Sequence, residues 1–363
     1  MKNIFIKITQ KNTNGNVINV ICNSAQKGLI PQREYFDKDI ANSDNTDGYF
    51  VIKKGDLVYN PRKSVTAPYG PVSVYNYDND GIVSPLYLCF RAKEIINTSF
   101  FEWYFKSSAW HRYVYLYGDN GVRHDRVSIK DSTFFEMPLH IPIVEEQEKL
   151  AHFLSLLDTK IRKQQQLVDS LKSYKRGVFS HLYDVFLANV CEVKLCDIVE
   201  CLDSQRIPIN SSERSKRKGI YPYYGANGIQ DCIDNYIFDG EFVLLAEDGG
   251  HFDDFNENTI AQYVCGKIWV NNHAHILQTK KCNTKFLYFI LEHKDIRSYI
   301  NGTSRSKLNQ EDMLQISIPL PIEAVQTKIT TLLSGIENVI VSAENTYQKL
   351  VEYKNGLLQK LFI

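Results

Sequence analysis

The sequence predicts an α+β protein in which two mixed α/β domains are each followed by a long helix, with the two helices packing on one another. Three observations predict it. The chain writes "SYKRGVFSHLY" at 173–183 and nearly repeats it as "EYKNGLLQKLF" at 352–362. A seven-residue apolar pattern runs through both copies. The stretches in front of the two copies are long, unlike each other, and broken into short apolar runs between polar loops.

The 363 residues suffice for two domains and a connector, and 44% hydrophobic residues can fill two cores. The formal net charge is zero, so bulk charge does not mark a nucleic-acid binder. Met1 is followed by Lys2 and Asn3 without the apolar run of a signal peptide, and no stretch approaches the roughly 18 uncharged apolar residues of a membrane span. A cytoplasmic location is expected. The eight cysteines form no CxxC pair, and the even spacing of Cys191, Cys196 and Cys201 fits no common zinc pattern, so no metal site is expected.

The first domain is expected over 1–141. "GIVSPLYLCF" at 81–90 is one of its apolar runs, and "FFEWYF" at 100–105 reads as a short helix. The polar loop "GDNGVRHDRVS" at 118–128 follows, and then a strand running into Pro142.

A spacer helix is expected within 142–190. Setting Gln147 against Gln326 fixes an offset of 179 residues. That offset pairs Pro142 with Pro321, Leu154 with Leu333, Asp158 with Glu337, Ile161 with Ile340, Lys175 with Lys354 and Gly177 with Gly356 without a gap. The predicted seam in the first copy is Leu150, Leu157, Gln164, Leu171 and Val178, with Phe153, Lys160, Leu167 and Tyr174 as its companion row. In the same phase the second copy offers Ile329, Ile336, Ala343, Leu350 and Leu357, beside Leu332, Val339, Thr346 and Tyr353. A helix from 145 to 183 would be about 55–60 Å long at 1.5 Å per residue. A helix that long with one apolar stripe needs a partner, and the nearest is the other copy. Gly177 and Gly356 mark either a tolerant surface turn or a close helix approach.

The second domain, 191–321, repeats the order: "EFVLLAEDG" at 241–249 as an apolar run, "KFLYFI" at 285–290 as a helix, the polar loop "NGTSRSKLNQ" at 301–310, then a strand into Pro321. The second spacer helix occupies 322–363. The helices carry net charges of +2 (144–183) and 0 (322–363), too little for gripping phosphate, so they read as spacers or docking surfaces.

With "YPYYGANGIQDCIDNYIFDGEFVLLAEDG" (221–249), "NNHAHIL" (271–277) and "IPLP" (318–321), the second half resembles the target-recognition domains of type I restriction-modification specificity subunits. In the first half "YFVIKKGDLVYNPRKS" (49–64), "GIVSPLY" (81–87) and "IPIVEEQEKL" (141–150) resemble the same family. The resemblance covers essentially the whole chain. One departure stands out: the second half opens "VKLCDIVECL" (193–202), whereas the first opens at "NIFIKI" (3–8) with nothing equivalent to "VKL".

The resemblance implies that each domain reads one half of a split double-stranded DNA site and that the helices set the spacing. It further implies two methyltransferase subunits and two motor-nuclease restriction subunits as partners, which would hold S-adenosylmethionine, ATP and Mg, with no cofactor on this chain. The sequence contains no GxxxxGK[ST] phosphate loop and no NPP[YF] tetrapeptide, "YNPR" (59–62) lacking the second proline and the aromatic. No catalytic residue is expected. Antiparallel helices would relate the domains by an approximate two-fold axis, as in dimeric repressors whose half-sites lie about one turn (~34 Å) apart.

Phosphates are met by Lys and Arg, and base edges by Arg, Asn, Gln, Lys or Ser. In the first domain the expected contacts are Arg62, Lys63, Asn120, Arg123, His124 and Arg126. In the second they are Lys216, Arg217, Lys218, Tyr223, Tyr224, Asn227, Ser304, Arg305 and Lys307. Each has a blander reading: isolated cations are usually solvated, the tyrosines of "YPYYGANG" can be packing, and His273 and His275 alternate along one strand face as structural residues. The first domain has a net charge of +3, while 184–321 has −5. The second domain is thus expected to segregate its charge, with Lys216–Lys218 and Arg305–Lys307 on one face and Asp231, Asp234, Asp253, Asp254 and Glu257 elsewhere. Two rival readings remain: a coiled-coil scaffold whose globular halves bind protein, and a single-chain restriction-methylation enzyme.

Overall fold

The structure is a computed structural model that describes residues 1–34, 46–118, 125–302 and 306–362. It divides into two compact units, Met1–Gln166 with Asn345–Ile363, and Leu167–Glu344.

Unit 1 contains β1 (Phe5–Lys7), β2 (Ile21–Ser24), β3 (Gly28–Pro31), β4 (Phe50–Ile52), β5 (Leu57–Tyr59), β6 (Val72–Val74), β7 (Gly81–Val83) and β8 (Leu88–Ala92). It also holds α1 (Thr98–Lys106), α2 (His111–Tyr117) and α3 (Asp131–Phe135). The main sheet runs β1-β8-β5-β6, with β2–β3 and β4–β7 as separate antiparallel pairs. β5 is buried on both faces, as a central strand covered on each side must be. Its core is aromatic: Phe5, Tyr59, Phe90, Phe101, Trp110 and Phe134 are all within 2% exposure and pack edge-on or stacked.

α4 (Val144–Phe186) begins in unit 1 and enters unit 2. Unit 2 adds β9 (Glu192–Lys194), α5 (Leu195–Ile198), β10 (Val199–Cys201), α6 (Ser211–Lys216), β11 (Lys218–Gly225), β12 (Gly228–Ile233), β13 (Phe238–Ala246), β14 (Ala261–Val270) and β15 (Ala274–Thr279). Then come α7 (Thr284–Leu291), β16 (Ile300–Asn301), β17 (Lys307–Leu308), α8 (Gln310–Leu314), β18 (Ser317–Pro319) and α9 (Glu323–Leu361), whose second half belongs to unit 1. The six-stranded sheet runs β10-β15-β13-β14-β11-β12.

The units share a frame. In both, a central strand (β5, β13) is flanked by a later antiparallel strand (β8, β15) that in turn pairs with the domain's first sheet strand (β1, β10). Both short helices open with an Asn N-cap, Asn97 accepting from the Phe100 amide and Asn283 from the Phe286 amide, each at 3.0 Å. In unit 2 the segment before Pro321 is a strand because β9 pairs with β18. The expected counterpart before Pro142 is extended but is no strand, since no segment pairs with it among the described residues.

Both long helices start from the same hydrogen bond. Gln147 Nε2 donates to the Pro142 carbonyl at 2.9 Å, and Gln326 Nε2 to that of Pro321 at 2.8 Å. Within each unit the helices run antiparallel. In unit 2, Lys175 meets Glu337 and Lys172 meets Glu344, so the partner number rises as the other falls. In unit 1, Lys354 meets Asp158 while Leu358 and Phe362 share a core with Leu154 and Ala151.

The predicted seam row is buried or half-buried throughout, including Leu150, Leu157, Leu171, Val178, Ile329, Ile336, Leu350 and Leu357. The predicted companion row is wrong. Phe153, Leu167 and Tyr174 are 44%, 47% and 61% exposed, and Leu332, Val339 and Tyr353 are 49%, 53% and 56%. The buried companions lie one residue further on: Gln147, Leu154, Ile161, Val168, Lys175 and Leu182, with Gln326, Leu333 and Ile340 in the second copy. Polar Gln147 and Lys175 disguise this row, because each is buried on dedicated hydrogen bonds rather than by apolar character. A Cβ at Gly177 or Gly356 would meet nothing within 4 Å, so the matched glycines occupy open surface and permit no closer helix approach. No helix among the described residues is long and apolar enough to cross a membrane.

Candidate nucleic-acid interface

In unit 1 the chain leaving β5 is pinned to residues 125–127, at the C-terminal end of loop 118–128. Lys63 N donates to Asp125 O and Val127 N to Pro61 O, both at 2.8 Å, so that Arg62 and Arg126 face each other across an antiparallel bridge. Beside them lies a cleft of about 690 Å³. Gln26 at the β2–β3 turn lines it, as do Ser84 and Tyr87 between β7 and β8, and Arg62, Lys63 and Arg126. Arg62 and Lys63 are exposed and make no ion pair among the described residues.

Unit 2 repeats this construction. Leu308 N donates to Glu247 O at 2.7 Å, and Asp248 faces Lys307 across the bridge. A cleft of about 300 Å³ opens next to it, lined by Asn227 and Gln230 around the β11–β12 turn and by Asp248 and His273. Asn227 Nδ2 donates to Gly249 O at 2.9 Å, and His273 Nδ1 engages the Asp248 carboxylate. Lys307 is paired, 3.1 Å from Glu247.

A buried polar node supports the second cleft from below. Arg206 Nη1 donates to Glu247 Oε2 at 2.7 Å and to Ala274 O at 2.8 Å. His275, 1% exposed, has Nδ1 against the Asp203 carboxylate and Nε2 against Leu308 O at 2.9 Å, which ties β17 to the sheet. Burial pushes the Asp203 carboxyl up, but the His275 hydrogen bond and charge, the Ile276 amide and Arg206 outweigh it and hold the group below its usual value. Cys201, Asp203 and His275 place three potential metal ligands within 4.8 Å of one another. Both His275 nitrogens already face acceptors, and burial pushes the Cys201 thiol up to about 12, keeping it protonated at neutral pH. The cluster acts as a hydrogen-bond node. Asp203, Arg206 and Glu247 were not distinguishable in sequence from other surface charges; the alternation of His273 and His275 was the only signal near them.

Asn120, Arg123, His124, Ser304 and Arg305 lie outside the described residues. Tyr223 is 1% exposed, bonded to Ile209 and covered by Arg214 at 4.9 Å from its ring, so it is a core residue closed to DNA. Tyr224 is half-buried against the sheet core, and burial raises its hydroxyl. Arg217 stacks 4.9 Å over Trp269 and pairs with Asp234 at 2.8 Å, while Lys218 holds Asp231 at 2.6 Å. Lys216 is exposed at the end of α6.

These pairs correct the expected charge segregation. The antiparallel return of β12 brings Asp231 and Asp234 onto the basic run instead of away from it. Lys218 also starts β11, whereas the cleft sits beyond its end at Gly225, roughly 20 Å along the strand. The structure therefore gathers Arg62, Lys63 and Arg126 at one cleft, and Asn227 and Lys307 beside the other, but leaves 216–218 apart.

The comparisons agree with this doubled frame. The family model for the type I restriction modification DNA specificity domain matches residues 4–173 and again 189–353. A Haemophilus influenzae protein named as a type I restriction enzyme specificity subunit is 40% identical over 143 residues, 39% of this chain and 36% of that one. A Mycoplasma pneumoniae type I specificity subunit is 28% identical over 214 residues, 56% of this chain and 84% of that one. The chain thus spans about a third of the length of the Haemophilus relative. Among solved structures, the S subunit of a type I restriction-modification system from M. genitalium aligns over 100% of this chain and 94% of its own at a TM-score of 0.59 and 14% identity. A chain from a type I system solved for its complex assembly and conformational transition aligns over 99% and 96% at 0.61 and 15%. With two matches that together span most of its length, this chain belongs to the family of type I restriction-modification DNA specificity domains and carries that domain twice.

Proposed function

We propose that this chain is the DNA-specificity subunit of a type I restriction-modification complex, a device for defence against foreign DNA. Each unit reads one half of an asymmetric bipartite site in double-stranded DNA, and the paired helices α4 and α9 set the distance between the halves. One observation carries the reading: both units present a cleft built on the same bridge between the chain leaving the central strand and the later part of a polar loop, yet the side chains lining the two clefts differ. A common frame with exchanged tips suits a reader of two different half-sites.

Catalysis is assigned to partners. Two methyltransferase subunits would bring S-adenosylmethionine, and two motor-nuclease subunits would bring ATP and Mg. The exposed row of Phe153, Leu167 and Tyr174 on α4, with Leu332, Val339 and Tyr353 on α9, offers these partners an apolar surface.

Mapping methylated adenines in the source genome with and without this gene tests the reading. A split, asymmetric motif should disappear with the gene. Lengthening α4 by about seven residues, two helical turns that keep the seam in phase, should widen the gap in the motif and leave both halves unchanged. Methyl transfer by the purified chain alone, or a continuous motif, would overturn the proposal.

A further inference from the structure

The cleft of unit 1 carries a repulsive pair. Arg62 and Arg126 are direct cross-strand neighbours, and side chains so placed leave the backbone about 4.5–5.5 Å apart on one face, where like charges destabilise. Among the described residues Arg62 has no ion pair, and the acid on Arg126 is the exposed Asp125, 3.8 Å from Nε. At the corresponding positions of unit 2 the charges are opposite, Asp248 facing Lys307. Two arginines that line one cleft from facing backbone positions, with only the exposed Asp125 paired to them among the described residues, suit an electron-rich ligand edge.

The cleft selects which edge. It is recessed and lined by neutral hydrogen-bonding side chains, Gln26, Ser84 and Tyr87, which suit a flat base better than an isolated phosphate. A guanidinium fork matches the O6 and N7 acceptors of guanine in the major groove, the most electron-rich edge a base pair shows there. Lys63, one residue on and also without an ion pair among the described residues, is a point charge suited to a neighbouring phosphate.

We propose that Arg62 and Arg126 read guanine through O6 and N7 in the half-site bound by unit 1, with Lys63 holding the adjoining backbone. The inference rests on the reading of this chain as a specificity subunit and adds the base and the residues that select it.

The test assembles the full chain with its partner subunits in a host free of other adenine methylation. Methylated sites are mapped for the unaltered chain and for Arg62→Lys, Arg126→Lys and Lys63→Ala. The two Arg→Lys variants keep charge and lose the fork. They should retain one half-site and the spacing, while a guanine position in the other half becomes degenerate, with discrimination falling roughly ten- to a hundred-fold. Lys63→Ala should weaken DNA binding at all sequences alike and flatten its salt dependence. In the DNA-free chain, Arg126→Gln should raise the melting temperature, by an amount that shrinks with added salt.

An unchanged motif in both Arg→Lys variants would overturn the inference. So would uniform weakening over every half-site sequence, which would make the arginines phosphate contacts. A lower melting temperature for Arg126→Gln would remove the repulsion on which the argument stands. If the unaltered chain directs no methylation at all, the specificity-subunit reading fails first and this inference falls with it.

Discussion

Lys175 donates from Nζ to Glu337 Oε1 at 2.7 Å in unit 2, and the residues 179 positions away from each, Lys354 and Asp158, meet at 2.8 Å in unit 1. The lysine lies on α4 in one pair and on α9 in the other. A contact that recurs with its two helices exchanged is the signature of two copies of one element packed antiparallel. The environments differ, however. Lys175 is 7% exposed, receives a second carboxylate from Glu292 at 2.7 Å, and sits 5.0 Å from the Phe289 ring. Lys354 and Asp158 are 21% and 45% exposed.

Burial therefore predicts unequal costs for the same substitution. Lys175→Met strands two carboxylates that are 13% and 30% exposed and should destabilise the protein by about 3 kcal/mol. Lys354→Met removes a solvated pair and should cost no more than about 1 kcal/mol. Denaturant unfolding of the two variants measures this, and equal losses would sink the account.

The helix seam gives a second contrast. Leu154 and Leu333 are fully buried, while Phe153 and Leu332, their immediate neighbours, are 44% and 49% exposed. Leu154→Ala and Leu333→Ala should cost about 2–5 kcal/mol each. Phe153→Ala and Leu332→Ala should stay within about 0.5 kcal/mol of the parent, as surface changes do. A large loss from Phe153→Ala in the isolated chain would restore the row first expected from the sequence.

That error shows where sequence reasoning runs out. The gap-free repeat made the helices legible, because a seven-residue pattern survives without any knowledge of partners. Lys175 and Gln147 hide the true companion row, because they look like solvent residues until Glu292, Glu337 and the Pro142 carbonyl are seen around them. Arg62, Lys63 and Arg126 were legible as candidates by residue type, but their convergence depends on the bridge between segments some 64 residues apart. Lys216–Lys218 mislead for the complementary reason: two of the three cations in that run are neutralised once a hairpin returns Asp231 and Asp234 to it.

Gly70 predicts a backbone lesion close to the first cleft. Its φ is +83°, and a Cβ there would stand 2.1 Å from the Asn60 carbonyl oxygen, in the turn that delivers Pro61 and Arg62. Gly70→Ala must shift backbone against backbone and should cost about 2–4 kcal/mol. Gly15, φ +64° with nothing within 4 Å, carries only the conformational penalty, so Gly15→Ala should cost about 1 kcal/mol. Thermal unfolding of the pair decides it; a Gly70→Ala chain as stable as Gly15→Ala would contradict the packing around Asn60.

Asp203 fixes a pH dependence whose sign follows from its environment. Its folded carboxyl titrates below the ordinary value because His275, the Ile276 amide and Arg206 together outweigh the cost of burial. The unfolded chain takes up that proton first, near the model-peptide value of about 3.9. The stabilisation is thus fully present above that pH and is lost as pH falls through the lower folded value. Asp203→Asn should cost about 2 kcal/mol or more at pH 7, since His275 and Arg206 then face an uncharged amide. The gap between parent and variant should close on acidification below about pH 4. Parallel denaturation curves between neutral and acid pH measure the gap directly, and a difference that stays constant over that range would show that Asp203 contributes shape to the second cleft and no charge.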